Sequence, residues 1–216
     1  MTGINLYFVR HGQTQLNHYH RIQGWSDTDL TEKGVQDAVI AANHLSQITF
    51  DQAYSSDTKR ASRTARIILE ANPAPLSEPV QKPALREENF GYFEGNDTGQ
   101  TWSIVGGPHG CYSYPELIET FGIEKTRDLI AAADPYGEAE NDQQFWARLQ
   151  PGLDEIVANA QPGQNILVVA HGTLIKSIVS QFSDFDIAAS ILNGSVTKLN
   201  YQDGTFTVVY YNQKEN

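Results

Sequence analysis

Two apolar runs in this chain end in the same way, and that repeated ending limits the possible folds more than any other feature. Leu6-Tyr7-Phe8-Val9 stops at Arg10-His11-Gly12, and Ile166 to Ala170 stops at His171-Gly172. A short, continuous apolar run reads as a strand buried on both faces. After the second run, Leu174, Ile175, Ile178 and Val179 recur at helical spacing. Buried strands alternating with helices imply an α/β layered fold around a mostly parallel central sheet. In such sheets ligands bind beyond the carboxyl ends of the strands, which is where His11 and His171 stand. Gly12 and Gly172 would let an anion approach the backbone, and a helix N-terminus after each would attract it. Taken alone, either histidine reads as well as a core or surface residue. Together they point to one crevice.

The remaining pattern fits the same architecture. Thr31 is a plausible N-cap for a helix with Val35, Ala38, Val39, Ala42 and Leu45 on one face. A strand is expected near Gln52-Ala53-Tyr54. A helix over about 57–71 follows, with Ala61, Ala65, Ile68 and Leu69 inward, ended by Asn72-Pro73-Ala74-Pro75. The stretch 93–136 is less regular and has little apolar content. Gly106-Gly107-Pro108 is loop-like, while Pro115 to Phe121 and Glu124 to Ala132 resemble short helices, so the stretch reads as an insertion over a core. A helix from near Asp142 should carry Phe145 and Leu149 inward and be kinked or interrupted at Pro151-Gly152. Val196 to Tyr201 and Thr205 to Tyr211 flank Asp203-Gly204, a hairpin signal that adds an antiparallel pair near one sheet edge. No internal repeat of about 20–50 residues is present.

Composition narrows the partners. The 216 residues suffice for a sizeable core, and 40% hydrophobic content with 19% charged suits a globular chain. No apolar run approaches membrane-spanning length, and the short stretch ending at Arg10 does not read as a secretory signal. The single cysteine, Cys111, cannot form an internal disulfide, so a cytoplasmic location is expected. A net charge of −11 argues against broad binding to nucleic acid or anionic membrane. A small anionic substrate would need a local positive pocket in this acidic surface.

Five ordered segments resemble the histidine phosphatase superfamily, which holds cofactor-dependent phosphoglycerate mutases and many broad phosphatases. They are Arg10-His11-Gly12-Gln13-Thr14 with Asn17 and Gln23-Gly24-Trp25; Leu30-Thr31-Glu32-Lys33-Gly34; Tyr54-Ser55-Ser56-Asp57-Thr58-Lys59-Arg60-Ala61; Leu85-Arg86-Glu87-Glu88-Asn89-Phe90-Gly91 with Glu94-Gly95; and Val168-Val169-Ala170-His171-Gly172. The likeness is good over about 4–95 and 138–182 and weak between. It implies a three-layer α/β/α sandwich of the phosphoglycerate mutase kind, one domain over 1–216 with a lid-like insertion at about 93–136. It also implies that His11 attacks phosphorus, that Arg10, Arg60 and His171 clamp the phosphoryl oxygens, and that Glu87 is the proton donor in preference to Glu88. Gly12, Thr14, Asn17, Gln23, Gly24 and Gly172 would border the phosphate. The phosphohistidine route needs no metal and no other cofactor.

Other polar residues read as structural. His18 and His20 lack further ligands and are expected at the surface. Lys59, Arg63 and Arg66 should line the solvent face of their helix, and His109 and Cys111 fall in the insertion with no assigned chemistry. Resemblance leaves the acceptor of the phosphoryl group open. A mutase needs extra cations for a bisphosphorylated cofactor, and residues 96–114 contain no lysine or arginine but carry Trp102, Ile104, Tyr112 and Tyr114. That favours a phosphatase for a small phosphate monoester whose remainder is neutral or aromatic, with mutase and non-catalytic phosphate sensor as alternatives. Gln13 stands where the family often has glutamate. Oligomeric state is not legible.

Overall fold

A computed structural model describes residues 3–214. Its centre is a six-stranded sheet in the order β3-β2-β4-β1-β5-β6, formed by β1 (Ile4–Arg10), β2 (Gln52–Ser55), β3 (Val80–Gln81), β4 (Asn165–Ala170), β5 (Val196–Gln202) and β6 (Thr205–Gln213). β1 to β4 are mutually parallel where they pair, and β5 runs antiparallel to both β1 and β6. The helices are α1 (Gln15–His18), α2 (Glu32–His44), α3 (Lys59–Glu70), α4 (Thr98–Gly106), α5 (Tyr114–Ala133), α6 (Asp142–Ala158) and α7 (Gly172–Phe182).

Period-two alternation explains why the two central strands are apolar throughout. Leu6 and Phe8 of β1, with Ile166 and Val168 of β4, join the core under α6 and α7. Tyr7 and Val9, with Leu167 and Val169, join the core under α2 and α3. Neither face meets water, so no polar residue interrupts either run. Arg10 pairs in register with Ala170, which brings both strand-end histidines to one level at one end of the sheet.

Several boundaries depart from expectation for identifiable reasons. Thr31 caps α2 by accepting from Gly34, but Val39 is 45% exposed while Asp37 is buried. The helix is rotated because the Asp37 carboxylate accepts from the Gln13 amide and from Lys33 and Lys214. α6 runs unbroken through Pro151 to Ala158, and a Cβ on Gly152 would come within 2.5 Å of Ala84 Cβ. The strand Val80–Gln81 and helix α4 have no clear apolar period and were not foreseen; Asp97 caps α4 by accepting from Gln100. Gly122, at φ 79°, divides α5 where two short helices were expected. The stretch 93–136 supplies Phe93, Val105, Cys111, Leu117 and Ile130 to a small separate core that Ile22, Phe90 and Ala139 complete.

Candidate active site

The sheet end fixes His11. Its amide donates to Ala170 O at 3.0 Å, and its carbonyl accepts from Asn193 Nδ2 at 2.9 Å. Nδ1 lies 2.8 Å from Gly12 O. A carbonyl only accepts, so Nδ1 carries the proton and Nε2 carries the lone pair. Burial, reinforced by Arg60 and Arg10, holds the imidazole well below the usual histidine range, which keeps it neutral. Gly12 itself is required sterically, since a Cβ there would sit 2.0 Å from Gly34 O.

Arg60, from the first turn of α3, is 0% exposed and ties the site together. Its Nε donates to His11 Nε2 at 3.2 Å, and one terminal nitrogen lies 3.1 Å from His171 Nδ1. Its other bonds go to Ser26 O, Gly24 O and Asp27 Oδ1 in the loop between α1 and α2. Because a guanidinium only donates, His171 Nδ1 is an acceptor and the proton of the neutral ring sits on Nε2. That Nε2 is buried without a partner, as is Arg10 Nε. Burial and Arg60 hold His171 well below the usual range too, so it offers a neutral N–H. The two imidazoles are 5.1 Å apart. Arg60 donates to the His11 lone pair, and the unpartnered donors of Arg10 and His171 are buried in the same cluster, an arrangement suited to a phosphoryl group.

Glu87 uses the helix start that an external anion was expected to use. Its carboxylate accepts from the Thr173 amide at 2.8 Å and the Leu174 amide at 2.9 Å in the first turn of α7, and from the Glu88 amide at 3.0 Å. Burial raises its proton affinity against the pull of these donors. Oε1 takes two of the bonds and Oε2 one, so Oε2 keeps the freer lone pair for a proton. Trp25 Nε1 and Arg148 both donate to the Glu87 carbonyl and hold its backbone. Glu88 points elsewhere: it is fully buried against Arg127, and burial pushes its carboxyl up to about 8.

A chamber of about 380 Å³ opens beside these groups. Arg10, Glu87, Gly172, Asn17 and Gln23 reach its wall, together with Phe90, Trp102 and Tyr114. Thr14 does not: its hydroxyl donates to Gln23 Oε1 at 2.5 Å and its amide to Asn17 Oδ1. Gly24 is also off the wall, pressed so closely on Glu94 that a Cβ would lie 2.4 Å from its carboxylate. His11, Arg60 and His171 are sealed deeper, with exposures of 3%, 0% and 0%.

The sequence pattern missed several contributors. Lys176 is 4% exposed on the chamber wall, one turn along α7, and burial with Arg10 nearby lowers its amine to about 8. Arg21 and His20 also line the chamber, so cations reach it from outside 96–114. Arg127 does not fold into it. Glu94 accepts from the amides of Gly24, Trp25 and Ser26 and shapes the loop that Arg60 grips. The Glu94-Gly95 pair was visible, but nothing in the sequence shows which amides it gathers. As expected, Lys59 and Arg63 face solvent.

Comparison with known proteins identifies the family. The chain belongs to the histidine phosphatase superfamily (branch 1), whose family model matches residues 6–214. The crystal structure of a phosphoglycerate mutase from Bacillus anthracis superposes with a TM-score of 0.91 at 40% identity, over 98% of this chain and 94% of that one. A 2,3-bisphosphoglycerate-dependent phosphoglycerate mutase 2 of Gloeobacter violaceus is 31% identical, over 82% of this chain and 74% of its own length. A metal-independent phosphoserine phosphatase of Arabidopsis thaliana is 32% identical over 90% and 75% respectively. Mutases and a phosphatase thus stand at similar distance by sequence.

Proposed function

We propose that the chain is a phosphatase that hydrolyses a small phosphate monoester through a phosphohistidine on His11. The observation that carries this reading is the unprotonated Nε2 of a neutral His11 facing Arg60 and His171, with a buried Glu87 beside the chamber. Nε2 attacks phosphorus as the ester P–O bond breaks, and the leaving alkoxide takes the proton from Glu87 Oε2. The carboxylate left behind then takes a proton from water, whose oxygen attacks phosphorus and breaks the P–N bond. Inorganic phosphate leaves, and His11 and neutral Glu87 are restored. Arg10, Arg60 and the His171 N–H stabilise the charge spread over the equatorial oxygens. Arg60 must release Nε2 as the phosphoryl group enters. The segment 93–136 roofs the chamber with Trp102 and Tyr114 and sets which esters fit.

One observation favours a second reading, a phosphoglycerate mutase. Lys176 and Arg21 on the chamber wall supply cations that residues 96–114 lack, and a second phosphate would need such cations. The test is to supply 3-phosphoglycerate with 2,3-bisphosphoglycerate and follow both 2-phosphoglycerate and inorganic phosphate. Hydrolysis of a panel of monoesters with little 2-phosphoglycerate is expected. Rapid conversion to 2-phosphoglycerate without net phosphate release would replace the phosphatase reading by the mutase.

A further inference from the structure

Behind the site lies a buried polar cluster to which the reaction gives no role. Arg127, on α5, is 1% exposed and Glu88 0%. A guanidinium removed from water is costly unless every arm is paired, and here every arm is. Nε donates to Glu88 at 3.2 Å, one terminal nitrogen pairs with Asp142, and the other donates to Ser177 Oγ at 2.5 Å. Ser177 Oγ donates in turn to Thr173 O at 2.8 Å. The Thr173 amide and the Glu88 amide are two of the three donors that hold the Glu87 carboxylate. The contacts therefore close a circuit that starts and ends on Glu87.

Stability alone does not account for this circuit, because well-packed apolar residues of similar volume are usually as stabilising as a buried ion pair. Position does. Glu87 sits in a stretch without regular secondary structure, between Leu85 and Gly91. A proton donor on such a segment drifts unless neighbouring groups fix it to within about 0.5 Å. Arg127 ties that stretch, through Glu88, to α7, whose first turn binds the carboxylate.

We propose that Arg127 is a positioning residue for Glu87, setting the carboxyl oxygen that protonates the leaving alkoxide. The proposal rests on the function proposed above. It joins the segment that roofs the chamber to the acid, so an unseated roof leaves the acid misplaced.

The test uses leaving groups. p-Nitrophenolate departs without needing a proton, whereas an alkoxide does not, so loss of acid placement affects alkyl esters selectively. The variants are Ser177→Ala, which opens the circuit by one hydroxyl, and Arg127→Met combined with Glu88→Gln, which removes the guanidinium together with its carboxyl partner. Each is compared with wild type on p-nitrophenyl phosphate and on the alkyl phosphate that wild type hydrolyses fastest. With the acid worth about 10²–10⁴ in rate, its misplacement should lower kcat/KM, which reports the steps up to leaving-group release, at least about 10-fold on the alkyl ester. On p-nitrophenyl phosphate the fall in kcat/KM should stay within about 3-fold, because that leaving group needs no proton; kcat also contains the hydrolysis step shared by both esters and is not the readout. An equal fall on both esters, or no fall on either, overturns the proposal. If the double variant lacks a cooperative melt, Ser177→Ala decides by the same criterion. A wild type that releases phosphate from neither ester defeats the phosphatase reading itself, and this inference with it.

Discussion

At the scale of the residue, the account depends on where two protons sit. His11 attacks only while Nε2 is unprotonated, and burial with Arg60 and Arg10 lowers its pKa. The acid limb of kcat/KM should therefore lie below the ordinary histidine value of about 6.5. Glu87 must enter the first step protonated, and burial raises its pKa, so activity on alkyl esters should fall on the alkaline side. A pH series on wild type and Glu87→Gln checks this. The variant should lose about 10²-fold or more on alkyl esters and lose the alkaline limb with it. An unchanged alkaline limb in Glu87→Gln would assign that limb to another group.

At the scale of the element, the strand-end turn after β1 is the most sterically constrained. Gly12 and Gly34 oppose each other, and a Cβ on either would meet backbone oxygen at 2.0 Å. Gly12→Ala should therefore cost about 1–3 kcal/mol, as overpacking does, and thermal melts should show a lower Tm together with lost activity. This scale also separates what the sequence reveals from what it hides. The two apolar runs announce buried strands because no face of β1 or β4 touches water. His11, Arg10 and His171 were legible because parallel strands in register must end together. Lys176 was not: Leu174, Ile175, Ile178 and Val179 mark α7 as a buried helix, and nothing local shows that one buried flank borders a chamber. Thr14 was legible as a polar loop residue, but its commitment to Gln23 and Asn17 is a matter of loop closure. The α2 face was misread at Val39 because Asp37 is buried by lysines, one of them Lys214 at the far end of the chain.

At the scale of the molecule, a strongly acidic protein buries Arg10, Arg60 and Lys176 around one site. Inorganic phosphate should bind there, since Arg10 Nε and His171 Nε2 are buried donors without partners. Phosphate at about 100 times its Kd should add about 2.7 kcal/mol of stability, seen as a raised Tm. No such rise in wild type would count against the pocket. Stability should also depend on pH with a definite sign. Glu88 has a raised folded pKa of about 8, so its contribution is complete below its unfolded value and is lost as pH climbs through 8. The buried histidines act oppositely but only below about 6.5, where the unfolded chain takes up their protons. Tm should thus decline from about pH 6.5 to 8, and Glu88→Gln should flatten that decline. A slope unchanged by that substitution would place its origin elsewhere.

The central claim is that His11 carries the phosphoryl group. The most direct measurement is a rapid quench during turnover of a phosphate ester labelled on phosphorus, followed by peptide mapping. The account predicts label that is stable to alkali, labile to acid and confined to the peptide containing His11, with none in His11→Ala. Turnover without such an adduct, or label on another residue, would contradict it.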